Sequence, residues 1–248
     1  MYKIIFLFSF VGVCYSSVGF EKYFKVCNRN DEHVNACMKD AVSNGIKTLV
    51  NGIEELDIPT IDPFFQKEYT LEYNVGPVET KVNMKNIYAT GIKHATVTSA
   101  SLKANDDAWE IEIHYKTPTV ITTGEYDAEG KFSTIRLFGS GDFNCTMSDV
   151  SVTYLLKGVP EKKGDETYIR VESFTVTPEL GNMVNYLTNN NKESQTMSDL
   201  ATKFINDHWR TIYKEFLPIV QQNWNEIGVG FASKVFNEVP YEIAFPIK

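Results

Sequence analysis

Between about residue 65 and residue 177 the apolar side chains recur at every second position, and no other feature restricts the fold as strongly. Trp109, Ile111, Ile113 and Tyr115 alternate with Glu110, Glu112, His114 and Lys116. Tyr69, Leu71, Tyr73 and Val75 repeat the pattern, as do Val78, Thr80, Val82 and Met84. A strand turns successive side chains to opposite faces, so each run reads as a strand with one apolar and one wet face. Turn-forming clusters at Asn105-Asp106-Asp107, Asp127-Ala128-Glu129-Gly130 and Glu161-Lys162-Lys163-Gly164-Asp165 are placed to separate these strands. Long strands joined by short turns make an antiparallel sheet rather than βαβ units, and its apolar face needs a cover.

The period changes on both sides of this region. After Asn28-Arg29-Asn30-Asp31, good helix-capping chemistry, come Val34, Cys37/Met38, Ala41/Val42, Ile46, Leu49/Val50 and Ile53. Steps of three and four predict an amphipathic helix of roughly six turns. The two prolines of Leu56-Asp57-Ile58-Pro59-Thr60-Ile61-Asp62-Pro63-Phe64 are expected to stop it. Beyond the polar loop at 189–194, the helical period returns through Leu200, Phe204, His208/Trp209, Ile212, Phe216, Val220, Trp224, Ile227, Phe231 and Val235. Pro218 inside this stretch predicts a kink or two helices meeting there. The layout is α+β in one domain: helix, large antiparallel sheet, long C-terminal helix.

Met1-Tyr2-Lys3, the apolar run from Ile4 to Val13 and the small residues at Cys14, Ser16 and Ser17 read as a secretory signal peptide over residues 1–16, leaving 17–248 as the mature domain. The run is half the ~20 residues that span a bilayer, which argues against an anchor. Losing Lys3 takes the net charge from −8 to −9, unsuited to nucleic acid or an acidic lipid surface. In an oxidising compartment Cys27 and Cys37, with nine residues between them, are the expected disulfide, and Cys145 is left over, read as a small buried hydrophobe in preference to half of an intermolecular bridge. Asn144-Cys145-Thr146 is the one N-x-[ST] glycosylation sequon, and alternation puts Asn144 on the wet face.

No constellation for catalysis stands out. The four His, at 33, 94, 114 and 208, form no HExxH, and Gly139-Ser140-Gly141 lacks the GxSxG spacing of a nucleophile elbow and reads as a strand irregularity. His208 beside Trp209 reads as a helix-face histidine. The protein is therefore expected not to be an enzyme, with no cofactor and no metal. Thirty-two Phe, Tyr and Trp are first of all core, but a curved sheet wrapped on a long helix also has room for an elongated apolar site.

Several motifs in fixed order resemble those of the takeout / juvenile-hormone-binding protein family of insects. They are the signal peptide, Cys27 and Cys37 around a helix start, Leu56 to Phe64, Gly124-Glu125-Tyr126 followed by Gly130 and Gly139-Ser140-Gly141, Phe204-Ile205-Asn206-Asp207-His208-Trp209, and Val235-Phe236-Asn237-Glu238-Val239-Pro240-Tyr241. The resemblance implies a long helix wrapped in a highly curved antiparallel sheet, the roll of tubular lipid-binding proteins. It implies a secreted, monomeric carrier of a hydrophobic small molecule (juvenile hormone, another terpenoid or a fatty-acyl lipid), with family roles in feeding, circadian output and chemosensation. Hormone-binding members can carry a second disulfide, for which Cys145 has no partner. The expected walls of the site are Trp109, Ile111, Ile113 and Tyr115 on the sheet and Phe204, Trp209, Ile212 and Phe216 on the helix. The competing reading is an extracellular interaction or signalling module recognised by a receptor without any small-molecule ligand.

Overall fold

The structure, a computed structural model, describes residues 20–75, 78–132 and 135–247. The signal peptide expected at residues 1–16 lies outside them. In order, the chain forms α1 (Phe20–Tyr23), α2 (Val34–Leu49), β1 (Phe64–Val75), β2 (Val78–Thr90), β3 (Thr96–Ala104), β4 (Trp109–Phe132), β5 (Ile135–Lys163), β6 (Glu166–Glu179), β7 (Asn182–Leu187), α3 (Gln195–Asp207), α4 (Trp209–Phe236) and α5 (Tyr241–Ala244).

The backbone of the fold is one hairpin. β4 and β5 pair antiparallel in unbroken register from Trp109↔Gly158 to Phe132↔Ile135, about 80 Å at the usual ~3.4 Å per residue. β3 and β6 flank its first half, β2 with β1 and β7 its second, so the seven strands make one antiparallel sheet. The turn expected at Asp127–Gly130 is not there: those residues pair with β2 on one side and β5 on the other. Two ladders of backbone hydrogen bonds outweigh a local turn preference. The chain does turn at Asn105, whose side chain accepts from the Asp107 and Ala108 amides, and at Gly164, which takes φ +69.

Bulges curl the sheet. Register shifts at Lys85/Tyr88, Val97/Ser99 and Lys157/Gly158 each add a residue to one strand, which bends and twists it. Asn86 in the first bulge sits at φ +50, and Asp149, across from Pro118 between the Thr117↔Val150 and Thr119↔Ser148 pairs, sits at φ +51. At that bend the covered positions shift by one residue. Before it Ile111, Tyr115 and Thr117 are buried with Val150, Val152 and Leu156, and beyond it Tyr126 takes over.

The helices differ from expectation at their ends. α2 stops at Leu49 rather than at the prolines, because Gly52, at φ +75, turns the chain into a bridge between the buried Ile53 and Ile58. Asp62, immediately before Pro63, is buried and accepts from the amides of Gly91 and Lys93. The C-terminal helical region breaks at His208, and α4 continues past Pro218 as one helix. Pro218 and Lys214 are both exposed, so the carbonyl that the proline leaves unpaired faces water and costs little.

Gly139-Ser140-Gly141 is not an irregularity. It lies in regular register with β4, and Gly141 makes room for the segment after β7: a Cβ there would sit 2.4 Å from the Thr188 carbonyl. Tyr126 Oη donates to that same carbonyl at 2.8 Å.

One end of the roll is solid. Trp109, 1% exposed, meets the rings of Phe236 at 4.8 Å and Phe245 at 6.0 Å. The Cys27–Cys37 disulfide belongs to this end, with Cys27 inside the same buried cluster. Next to it Arg29 donates to the Phe245 carbonyl, pairs with Glu242 and lies over the Tyr241 ring at 4.3 Å.

Candidate functional site

The curled sheet has a gap between its edge strands β6 and β1, and α4 lies along it. On one flank α4 side chains serve the open edge of β6. Tyr213 Oη donates to the Pro178 carbonyl at 3.1 Å, Gln221 Nε2 donates to the Val176 carbonyl, and Asn225 Oδ1 accepts from the Phe174 amide at 2.8 Å. On the other flank β1 reaches the helix: Tyr69 Oη donates to the Ile219 carbonyl at 3.3 Å, Gln66 and Asn223 pair through their side-chain amides, and the Tyr73 and Phe216 rings meet at 4.9 Å. On the β6 flank exposed edge backbone groups are thus satisfied by the helix, and with the β1 side chains on the other flank the curled sheet is closed against α4. β7 is treated alike, because the Asn206 side chain of α3 bonds both the amide and the carbonyl of Asn185.

Burial inside the roll is graded along its length. Trp109 and Ile111 belong to the solid end. Ile113 bridges to a second cluster around Tyr115, Val150, Val152 and Val176, on which Phe174 and Trp224 pack. Beyond it Leu71, Tyr73, Val82 and Met84 on the sheet, and Ile212, Phe216 and Val220 on α4, are only half-buried. These half-buried apolar side chains, on strands and a helix that face one another, are the candidate lining of an apolar site.

The cluster has one polar feature. Tyr115 Oη and Tyr154 Oη lie 3.0 Å apart, with their rings at 5.2 Å and the Tyr154 ring tilted against Phe174 at 4.9 Å. One phenol proton fills that bond, and the second has no acceptor among the described residues. Burial first, and then the Tyr154 neighbour, pushes the Tyr115 hydroxyl well above its ordinary range. Burial also raises Tyr154, against the lowering effect of its bond to Tyr115. Both therefore stay protonated at neutral pH as neutral donors.

The eight expected wall residues fall in different places. Ile113 and Tyr115 stand with Tyr154 and Phe174 in the second cluster, and Phe216 packs directly on Tyr73 of β1. Ile212 is half-buried nearby on α4. Trp109 and Ile111 are in the solid plug, and Trp209 is buried at the start of α4, in ring contact with Tyr213. Phe204 stands apart, 60% exposed on α3 with its ring against His208. Tyr154, Phe174, Trp224, Leu71, Val82 and Met84 were not among the expected residues. The alternation of Val150, Val152, Tyr154 and Leu156 on β5 carried the same signal as β4 and pointed to Tyr154.

Among the described residues no group of three His, Cys, Asp or Glu is placed to hold a metal, and no helix is long and apolar enough to cross a membrane. Cys145 is free, and burial pushes its thiol up to about 11, so it is a poor nucleophile at neutral pH.

The model of the haemolymph juvenile hormone binding protein (JHBP) family matches residues 4–246. The crystal structure of Epiphyas postvittana Takeout 1 superposes with a TM-score of 0.70 at 20% sequence identity, covering 87% of this chain and 96% of that one. A lipopolysaccharide binding protein structure matches with a TM-score of 0.26 at 10% identity, over 58% of this chain and 33% of the other. No curated protein matches the chain by sequence. With a family model spanning nearly its whole length and the curled sheet closed by a C-terminal helix, the chain belongs to the takeout / juvenile-hormone-binding protein family.

Proposed function

We propose that this protein is a secreted, monomeric carrier of a hydrophobic small molecule, a terpenoid such as juvenile hormone or a fatty-acyl lipid, held inside the roll. The observation that carries the reading is the half-buried apolar lining: Leu71, Tyr73, Val82 and Met84 on the sheet opposite Ile212, Phe216 and Val220 on α4. Covering such surface is favourable by about 25 cal/mol per Å², which rewards a ligand of low water solubility. Family membership supports a hydrophobic-ligand carrier. The Tyr115–Tyr154 pair supplies the polar contact, because its spare phenol proton suits an ester, carboxyl or epoxide oxygen.

The test is native mass spectrometry of protein secreted from insect cells, before and after denaturing solvent extraction. A stoichiometric apolar adduct released on denaturation is the expected result. Absence of an adduct, together with no binding of terpenoid and fatty-acyl probes, overturns the reading in favour of a surface recognised by another protein.

A further inference from the structure

The exposed face of the sheet carries a row of side chains that runs straight across five strands. Register places Phe65 opposite Tyr88, Tyr88 opposite Thr123, Thr123 opposite Asn144, and Asn144 opposite Tyr186. The next row is Ile121, Thr146 and Val184. The five apolar members, Phe65, Tyr88, Ile121, Val184 and Tyr186, are all between 37 and 58% exposed. The Phe65 and Tyr88 rings meet at 5.0 Å in a tilted contact. An apolar and aromatic band of this kind on a sheet face is a liability in water unless something covers it.

The centre of the band holds the sequon. Asn144 and Thr146 project from the same face of β5, between Tyr88 and Tyr186, and Asn144 lines a surface hollow of about 440 Å³ with Asn86, Tyr88, Thr123 and Tyr186. Thr146 Oγ1 donates to Asn144 Oδ1 at 3.1 Å, and the Asn144 Nδ2 has no partner among the described residues. The fold therefore leaves free the atom that carries an N-linked sugar. The residue between them, Cys145, points to the covered side and is not at risk from the same exposure.

We propose that Asn144 is N-glycosylated and that the innermost sugars lie over the Phe65–Tyr88–Tyr186 band. This inference rests on the secreted reading above, since the modification belongs to the secretory pathway. The donor is an oligosaccharide linked to a lipid diphosphate. The Nδ2–C1 bond forms, the bond from C1 to the diphosphate oxygen breaks, and one amide proton is lost with the lipid diphosphate as leaving group. Neighbouring strands lie about 4.8 Å apart, so Tyr186 is one strand and Tyr88 two strands from the attachment point, within reach of the first sugars. The apolar C–H face of a pyranose packs on an aromatic ring, which makes this band a fitting surface for it.

The experiment uses full-length protein expressed in insect cells. Peptide mapping of the secreted fraction is expected to find the sugar on Asn144, and Asn144→Gln and Thr146→Ala each to abolish it. Hydroxyl-radical footprinting before and after a peptide N-glycanase is then expected to show labelling of Tyr88 and Tyr186 rising severalfold, with Phe204 on α3 unchanged as the control. Secreted protein with a bare Asn144 overturns the inference and leaves the carrier reading standing. A sugar whose removal leaves Tyr88 and Tyr186 labelling unchanged overturns the covering role. Protein that never enters the secretory pathway overturns the secreted reading and this inference together.

Discussion

A single hydroxyl pair gives the second cluster a polar contact point, and its chemistry is sharp enough to test. Tyr115 and Tyr154 share one hydrogen bond and leave one proton without an acceptor. A neutral hydrogen bond contributes about 0.5–1.5 kcal/mol net, so Tyr115→Phe combined with Tyr154→Phe is expected to weaken an ester or epoxide ligand by about threefold to tenfold. A hydrocarbon of equal length should be unaffected, and competition binding with the two ligand types measures the difference. The same pair predicts a pH dependence. Both phenols are raised above the ordinary value of 10.0 in the folded state, so folding favours the protonated form. Their contribution is fully present below pH 10 and is lost as pH rises through the folded-state values. The thermal midpoint should fall above pH 10, and fall less steeply in the Phe variants, as followed by circular dichroism.

Among the elements, α4 is seated by an absence of side chain. A Cβ at Gly228 would meet the Phe174 ring at 2.0 Å, so the helix touches β6 through bare backbone there. Gly228→Ala would gain helix propensity yet force that ring aside, a net destabilisation of about 1–3 kcal/mol by overpacking, read from urea unfolding. At the N-terminal end the Cys27–Cys37 bridge closes a short loop, and replacing both cysteines by Ser should cost about 3 kcal/mol in the chain-entropy account, by the same measurement. These elements were legible in the sequence to different depths. The strand period of Trp109 to Tyr115 was plain, because one face of the sheet is covered and the other wet. The length of β4 was hidden: turn-forming residues at 127–130 are overruled by pairing on both sides, which no local preference encodes. That Pro218 does not divide the helix was hidden for a similar reason, since its cost depends on whether the freed carbonyl meets water. The candidate site was the least legible part. Alternation marks Trp109 and Ile113 alike, and only the packing of Phe236 and Phe245 onto Trp109 turns one into a plug and leaves the other beside the interior.

Taken as a whole, the roll divides its labour along its length, and that division can be tested with two substitutions of similar chemistry. Trp109 is fully enclosed by the C-terminal segment, which Arg29 holds in place. Trp109→Ala removes a large buried ring from a close-packed region and should cost about 3–5 kcal/mol of stability. It removes nothing from the lining, so protein that remains folded should bind a fatty-acyl probe with unchanged affinity. Phe216 is half-buried, meeting Tyr73 but leaving surface that only a ligand would cover. Phe216→Ala should therefore cost less stability than Trp109→Ala, because less of the ring is removed from contact. Its effect on binding should be the larger one: if a ligand covers a further ~60 Å² of this ring, about 1.5 kcal/mol is lost at about 25 cal/mol per Å², close to a tenfold weakening. Unfolding curves and probe titrations on both variants give a crossed pattern under this arrangement, stability falling with one and affinity with the other. A reversed pattern, with affinity falling for Trp109→Ala alone, would move the ligand to the opposite end of the roll and make the aromatic plug its true binding wall.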